Sequence, residues 1–119
     1  MVDVEGYGRY KILKGRFYRR YHSLTSVLYI YCARCSAKVL AYQKDDKQGF
    51  LKRCYFNRII MPYGITKREL VHKKKLSCPK CGAAMGRRVL FKGRRAFAVA
   101  PRTFKRRTIY KNWKQGVWY

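Results

Sequence analysis

Four cysteines stand in two identical spacings, Cys32-Ala-Arg-Cys35 and Cys78-Pro-Lys-Cys81, within a chain of 119 residues. Two cysteines separated by two residues can turn both sulfurs toward one point. Two such turns brought together form the tetrahedral sulfur cage that zinc prefers, with Zn–S bonds of ~2.3 Å. Gly82, directly after the second pair, permits a positive-φ turn in which backbone N–H groups face sulfur and stabilise thiolate. Ser36 follows the first pair, so that turn is expected to be less ideal or differently built. The fifth cysteine, Cys54, sits near Phe56 and reads as a buried core thiol, not a ligand. His22 and His72 find no vacancy beside four thiolates. The expectation is one structural Zn2+ on Cys32, Cys35, Cys78 and Cys81.

Competing chemistries fit less well. Two disulfides are disfavoured by the odd cysteine count and by the lack of an export signal. A redox Cys-x-x-Cys works singly, and here there are two. A rubredoxin-like iron site would use the same ligands, but a formal charge of +25 is odd for an electron carrier. Catalysis lacks material, because the chain has five carboxylates, of which Asp3 and Glu5 are terminal and Asp45 and Asp46 fall in a turn. No Gly-rich phosphate loop or nucleophile elbow is present, and a closed tetrathiolate site leaves no position for water. Neither enzymatic activity nor a small-molecule substrate is expected.

The elements that must position the cysteines follow from the spacing between the pairs. The 42 residues from Ser36 to Ser77 exceed the ~15 to 20 of compact zinc modules, so an element must be inserted between the knuckles. Lys38 to Gln43 reads as a strand, Lys44 to Gly49 as a polar turn and Phe50 to Ile60 as a second, continuous strand. Pro62 and Gly64 close this hairpin, and Thr66-Lys-Arg-Glu69 reads as a capping box opening a short helix through His72. After the second knuckle, Arg88 to Phe91 and Ala96 to Ala100 read as a hairpin turning at Lys92-Gly93-Arg94 and ended by Pro101. Past Pro101 the expectation is an extension without a core of its own, whose removal over residues 102 to 119 would leave metal binding intact.

Charge then divides the chain. Thirty Lys and Arg face five Asp and Glu, and the net charge is +4 over residues 1 to 23, +10 over 24 to 84 and +11 over 85 to 119. Four thiolates and one divalent ion would leave the total near +23. A compact domain with this charge repels itself unless a polyanion complements it. Yet 48% apolar and 16% aromatic content is too high for a permanently disordered tail. The expected organisation is a basic Tyr-rich arm over 1 to 23, a zinc-ribbon domain over 24 to 100 and a basic aromatic extension over 101 to 119.

Both ends alternate rings with cations, from Tyr7 to His22 and from Phe104 to Tyr119. Cations neutralise phosphates and release counterions, while rings and guanidinium planes stack on unpaired bases. Folded RNA offers such bases, and duplex DNA offers few. The candidate RNA contacts are Arg9, Lys11, Lys14, Arg16, Arg19, Arg20, Tyr21 and His22 in the arm, and Lys73, Lys74 and Lys75 before the second knuckle. Arg87, Arg88, Arg94 and Arg95 belong to the last hairpin, and Arg102, Lys105, Arg106, Arg107, Lys111, Trp113 and Lys114 to the extension.

Over roughly residues 26 to 100, the two knuckles and their strands resemble the zinc-ribbon class, in which paired Cys-x-x-Cys or Cys-Pro-x-Cys-Gly turns hold a small antiparallel sheet. That class includes ribosomal proteins and transcription-type ribbons. The resemblance, together with the basic aromatic ends, implies a small, mostly-β zinc ribbon with antiparallel hairpins that binds rRNA beside neighbouring ribosomal proteins, as a lineage-specific ribosomal protein would. The alternatives are a DNA-binding zinc ribbon of a transcription or viral regulator, and the iron carrier. No run approaches the ~18 to 20 apolar residues of a membrane span. The acidic start, Met1 to Gly6, lacks the features of a secretory signal. The expected setting is therefore a cytoplasmic ribosome, with an organellar ribosome left open, and no membrane.

Overall fold

The computed structural model describes residues 1–13, 25–45 and 50–112. Strands β1 (Val2–Val4) and β2 (Gly8–Tyr10) form an N-terminal hairpin. Strands β3 (Thr25–Cys32), β4 (Lys38–Lys44), β6 (Ile59–Pro62) and β10 (Phe104–Asn112) form the first sheet, in the order β10-β3-β4-β6. Strands β5 (Arg53–Tyr55), β7 (Lys75–Ser77), β8 (Ala84–Phe91) and β9 (Arg94–Val99) form the second, in the order β5-β9-β8-β7. All pairings are antiparallel. Among the described residues, no helix is long and apolar enough to cross a membrane.

Residue alternation along β3 explains the layering. Leu28, Ile30 and Cys32 face the second sheet and pack with Leu40, Tyr42, Cys54, Ile59, Leu76, Met85 and Phe97. Val27 and Tyr29 face the other way and pack with Ala41, Ile60 and the N-terminal Val2, Val4 and Tyr10. A strand covered on both sides must be apolar or aromatic at nearly every position, and Thr-Ser-Val-Leu-Tyr-Ile-Tyr-Cys supplies that with residues of high β-propensity. Three layers result: N-terminal hairpin, first sheet, second sheet.

Residues 1–13 therefore depart from the expected basic arm. Val2, Val4 and Tyr10 form an apolar hairpin face that closes the far side of the first sheet. Buried polar groups secure it. Gln43 accepts from the Tyr10 hydroxyl at 2.6 Å and from the Leu13 N–H at 3.0 Å, and its amide donates to the Leu13 carbonyl at 2.9 Å. Its amide also donates to Asp45, whose carboxylate pairs with the equally buried Arg58.

Two further expectations are corrected. Phe50 to Ile60 is not one strand: a 3-10 turn over Phe56–Arg58 divides it. Upstream of the turn β5 joins the second sheet against β9, and downstream β6 joins the first against β4. The turn lets the chain change sheets while Cys54 and Ile59 both reach the intersheet core. Residues 104–112 do not stand outside the core either. They pair with β3 from Phe104↔Cys32 to Asn112↔Thr25, and an irregularity between Thr108 and Tyr110 lets Ile109 and Tyr110 both pack toward the N-terminal cluster.

Other local readings hold. Thr66 and Glu69 form a reciprocal capping box at the start of α1 (Lys67–Val71), with His72 as C-cap. The β8–β9 hairpin turns on two residues, Lys92 at φ 49° and Gly93 at φ 77°, not on three. Positive φ at both central positions matches the right-handed twist of the flanking strands.

Candidate metal centre

Each sheet contributes one knuckle. The first leaves β3 at Cys32 and enters β4 at Lys38; the second leaves β7 at Ser77 and enters β8 at Ala84. Their backbones repeat the same bonds. Ser36 N–H donates to the Cys32 carbonyl at 2.9 Å, as Gly82 N–H does to Cys78 at 2.9 Å. Cys32 N–H donates to the Ala37 carbonyl at 2.8 Å, as Cys78 N–H does to Ala83 at 2.9 Å. Ser36 has φ 63° and Gly82 has φ 77°, so both occupy the left-handed region. The first turn is thus built like the second, with a serine in the conformation that glycine takes more readily.

The four sulfur ligand atoms lie within 4.8 Å of one another. Cys32 Sγ is 3.7 Å from Cys81 Sγ, and Cys35 Sγ is 3.5 Å from Cys78 Sγ. Bonds of ~2.3 Å at tetrahedral angles place sulfurs ~3.8 Å apart. A disulfide would require ~2.05 Å. The donor set therefore fits one tetrahedrally held ion, consistent with a zinc site, and joins the two sheets at that point.

Backbone dipoles prepare the ligands. The N–H groups of Cys35 and Arg34 hold the Cys32 thiol below its usual range despite burial. Burial opposes ionisation of Cys78, but the N–H groups of Cys81 and Lys80, together with hydrogen bonds from the Cys35 and Cys81 thiols, outweigh it and bring that thiol down to about 7. At Cys35 the Ala37 N–H favours thiolate, yet burial and the three surrounding sulfurs prevail and push it up to about 11. Crowding of this kind is relieved by a cation held among the sulfurs.

Cys54 lies apart from the cluster. It is fully buried in the intersheet core, opposite Phe97 on β9, and burial raises its thiol far above the ordinary value. That agrees with a core thiol, since burial in apolar surroundings disfavours the reactive thiolate. Within the first knuckle, the Ala33 N–H donates to the Thr103 carbonyl at 3.0 Å, tying that turn to the segment that leads into β10.

The proposed RNA contacts are distributed over several surfaces. Arg9 and Lys11 are exposed in and beside the N-terminal hairpin, and Lys73, Lys74 and Lys75 are exposed on the approach to the second knuckle. Arg87, Arg88 and Arg95 are exposed on the second sheet, where Arg94 is half-buried. Arg88 projects toward the core side, and its guanidinium donates to the Val71 carbonyl. Arg102 precedes β10, which carries Lys105, Arg106, Arg107 and Lys111, all exposed. Lys14, Arg16, Arg19, Arg20, Tyr21, His22, Trp113 and Lys114 lie outside the described residues.

Arg53 escaped the sequence reading. Its guanidinium carbon lies 3.5 Å from the centroid of the Phe91 ring, and that of Arg94 lies 3.7 Å from the centroid of Tyr55. The Arg-Cys-Tyr alternation at 53–55 was the available signal, but it gains meaning only when β5 is placed beside β9. No family model matches the sequence, and no curated protein or solved structure shows significant similarity to it.

Proposed function

We propose that the chain is a zinc-stabilised structural RNA-binding protein, working as a constituent of a ribosome beside rRNA and neighbouring ribosomal proteins. The observation that carries this reading is the imbalance of +25, with few carboxylates to offset it within the fold. Glu5 pairs with Lys38, Asp45 with Arg58, and Glu69 is taken up in capping α1. Cations remain in excess on the β10 edge, the second sheet and the approach to the second knuckle. A polyanion with many phosphates offsets such an excess and releases counterions on binding.

Zinc is the proposed ion because a tetrathiolate site closed to water serves architecture, and because a strongly basic chain is poorly suited to shuttling electrons. The joint between the sheets supplies cohesion to a small core. Among nucleic acids, folded RNA is favoured by the exposed and half-exposed rings interleaved with cations.

Sedimentation through a sucrose gradient at moderate salt tests the ribosomal assignment. The tagged full chain is expected to travel with a ribosomal subunit, and recovery only at the top of the gradient would overturn it. Elemental analysis is expected to give one zinc per chain in a colourless protein. A red protein containing iron would replace the zinc assignment with the electron-carrier reading. Preference for duplex DNA over structured RNA in competition at ~150 mM salt would favour a transcription-type ribbon instead.

A further inference from the structure

The outer face of the second sheet has a composition unlike any other sheet face in the fold. Cys54 and Phe97 point to the intersheet core, so their sequence neighbours point away from it. One row of that outer face runs Arg53, Ala98, Arg87, Lys75 across β5, β9, β8 and β7. The next row brings Tyr55, Ala96 and Val89 together, and the last pairs Arg94 with Phe91. No carboxylate occurs in any of the four strands.

The two alanines let longer side chains lie across the sheet: Ala96 is fully covered, and the flanking rings of Tyr55 and Phe91 each bear a guanidinium, at 3.7 and 3.5 Å from the centroid. Asn57 accepts from Arg94 at 3.1 Å, which further fixes that group. A guanidinium held over a ring keeps a planar surface on which a base can stack, and an edge of N–H donors that suits phosphate. Arg87 and Lys75, both exposed, extend the positive surface along the row toward the far edge of the sheet.

We infer that this face is a stacking platform for unpaired nucleotides, taking a single-stranded stretch of RNA with bases against the Tyr55–Arg94 and Phe91–Arg53 pairs and backbone phosphates toward Arg87 and Lys75. The inference rests on the RNA-binding reading above and narrows it to one face and one form of RNA. Duplex RNA keeps its bases stacked on one another, so it can use the cations but not the platform. The β10 edge, with its cations, remains the surface suited to duplex backbone.

Binding of the full chain to a short oligouridylate, to a duplex RNA and to polyglutamate at ~150 mM salt separates the possibilities. Tyr55→Leu with Phe91→Leu keeps apolar bulk but removes both rings. It is expected to weaken oligouridylate binding by about 10- to 100-fold, the loss of one or two stacked bases, while duplex affinity stays within about twofold. Arg53→Gln with Arg94→Gln, made at partly exposed positions, is expected to show the same selectivity and covers the case in which the first variant fails to fold. Ultraviolet cross-linking of the unaltered protein to oligouridylate should label peptides containing Tyr55 or Phe91. Equal losses on single strand and duplex, unchanged oligouridylate binding or cross-links confined to other segments would overturn the platform while leaving RNA binding in place. Binding of polyglutamate as tight as that of oligouridylate would reduce the face to a simple cationic surface. An unaltered protein that binds neither RNA would instead remove the function on which the inference rests.

Discussion

The two sheets have the same number of strands and share one core, yet they are finished differently. In the first sheet, β3 and β4 are covered on both sides, and almost every residue along them is buried. In the second, β8 buries Met85 while Arg87, Arg88 and Leu90 stay exposed. Charge follows coverage. The doubly covered strands keep cations at their ends, Lys38 and Lys44, whereas β5, β7, β8 and β9 place Arg or Lys throughout. A small chain that folds this way spends its apolar residues on one sheet and leaves the second with a face that internal packing does not need.

The sharpest break in this comparison comes at the point the two sheets share. Cys78→Ser or Cys81→Ser should release the metal and melt both sheets together, since the ~10 to 16 kcal/mol of zinc binding in such modules matches or exceeds the ~5 to 15 kcal/mol of a whole domain's stability. Circular dichroism with metal analysis checks this, and a native melting curve without metal would show that the sheets hold each other unaided. Next in size is deletion of residues 102–119. It strips the β10 ladder from β3 and should lower Tm by more than about 10 °C, with metal affinity falling alongside, contrary to the expectation for a detachable tail. Retained metal binding and an unchanged Tm would restore that expectation.

Asp45→Ala tests the covered side alone. It leaves Arg58, with a side chain only 9% exposed, without its carboxylate, and should cost about 3 to 5 kcal/mol in urea unfolding. Smaller effects compare the knuckles. Gly82→Ala forces a side chain into left-handed backbone and should cost about 1 kcal/mol, whereas Ser36→Gly should stabilise by up to about 1 kcal/mol. Opposite signs at these two positions would confirm that the turns are equivalent, and two losses would show that Ser36 contributes a contact of its own. The last test concerns alkaline pH. Burial raises the Tyr10 hydroxyl to about 12, so its contribution is complete below the unfolded value of 10.0 and is lost as pH rises from there through 12. Stability should decline across that window, and Tyr10→Phe should flatten the decline; an identical pH profile in the variant would remove Tyr10 as its source.

The four-cysteine cluster was legible because a Cys-x-x-Cys turn is local: its geometry is settled by four consecutive residues. The capping box at Thr66 and Glu69 was legible for the same reason, as was the place of the β8–β9 turn, although Lys92-Gly93-Arg94 runs one residue too long. Ser36 was not, because residue type alone does not reveal that a serine takes positive φ. The switch of sheets at Phe56–Arg58 carries no Pro or Gly to announce it. β10 was hidden by its own cations, four in nine residues, and by the irregularity at Ile109, which interrupts the alternation that marks a half-covered strand. At the other end, the rings and cations around Tyr7 to Tyr10 drew attention from Val2 and Val4, whose spacing fits the first sheet.

The pairing of Thr25 with Asn112 also imposes an order of events during synthesis. β3 leaves the ribosome early, but the strand that covers its free edge is made last, after both knuckles and the whole second sheet. Until then an apolar strand flanked only by β4 offers unpaired N–H and C=O groups to any passing chain, the situation in which nascent β proteins aggregate. Contacts this distant in sequence also slow the final closure. Four positive side chains on the late strand give each growing copy a charge that repels its neighbours at the moment the gap is sealed.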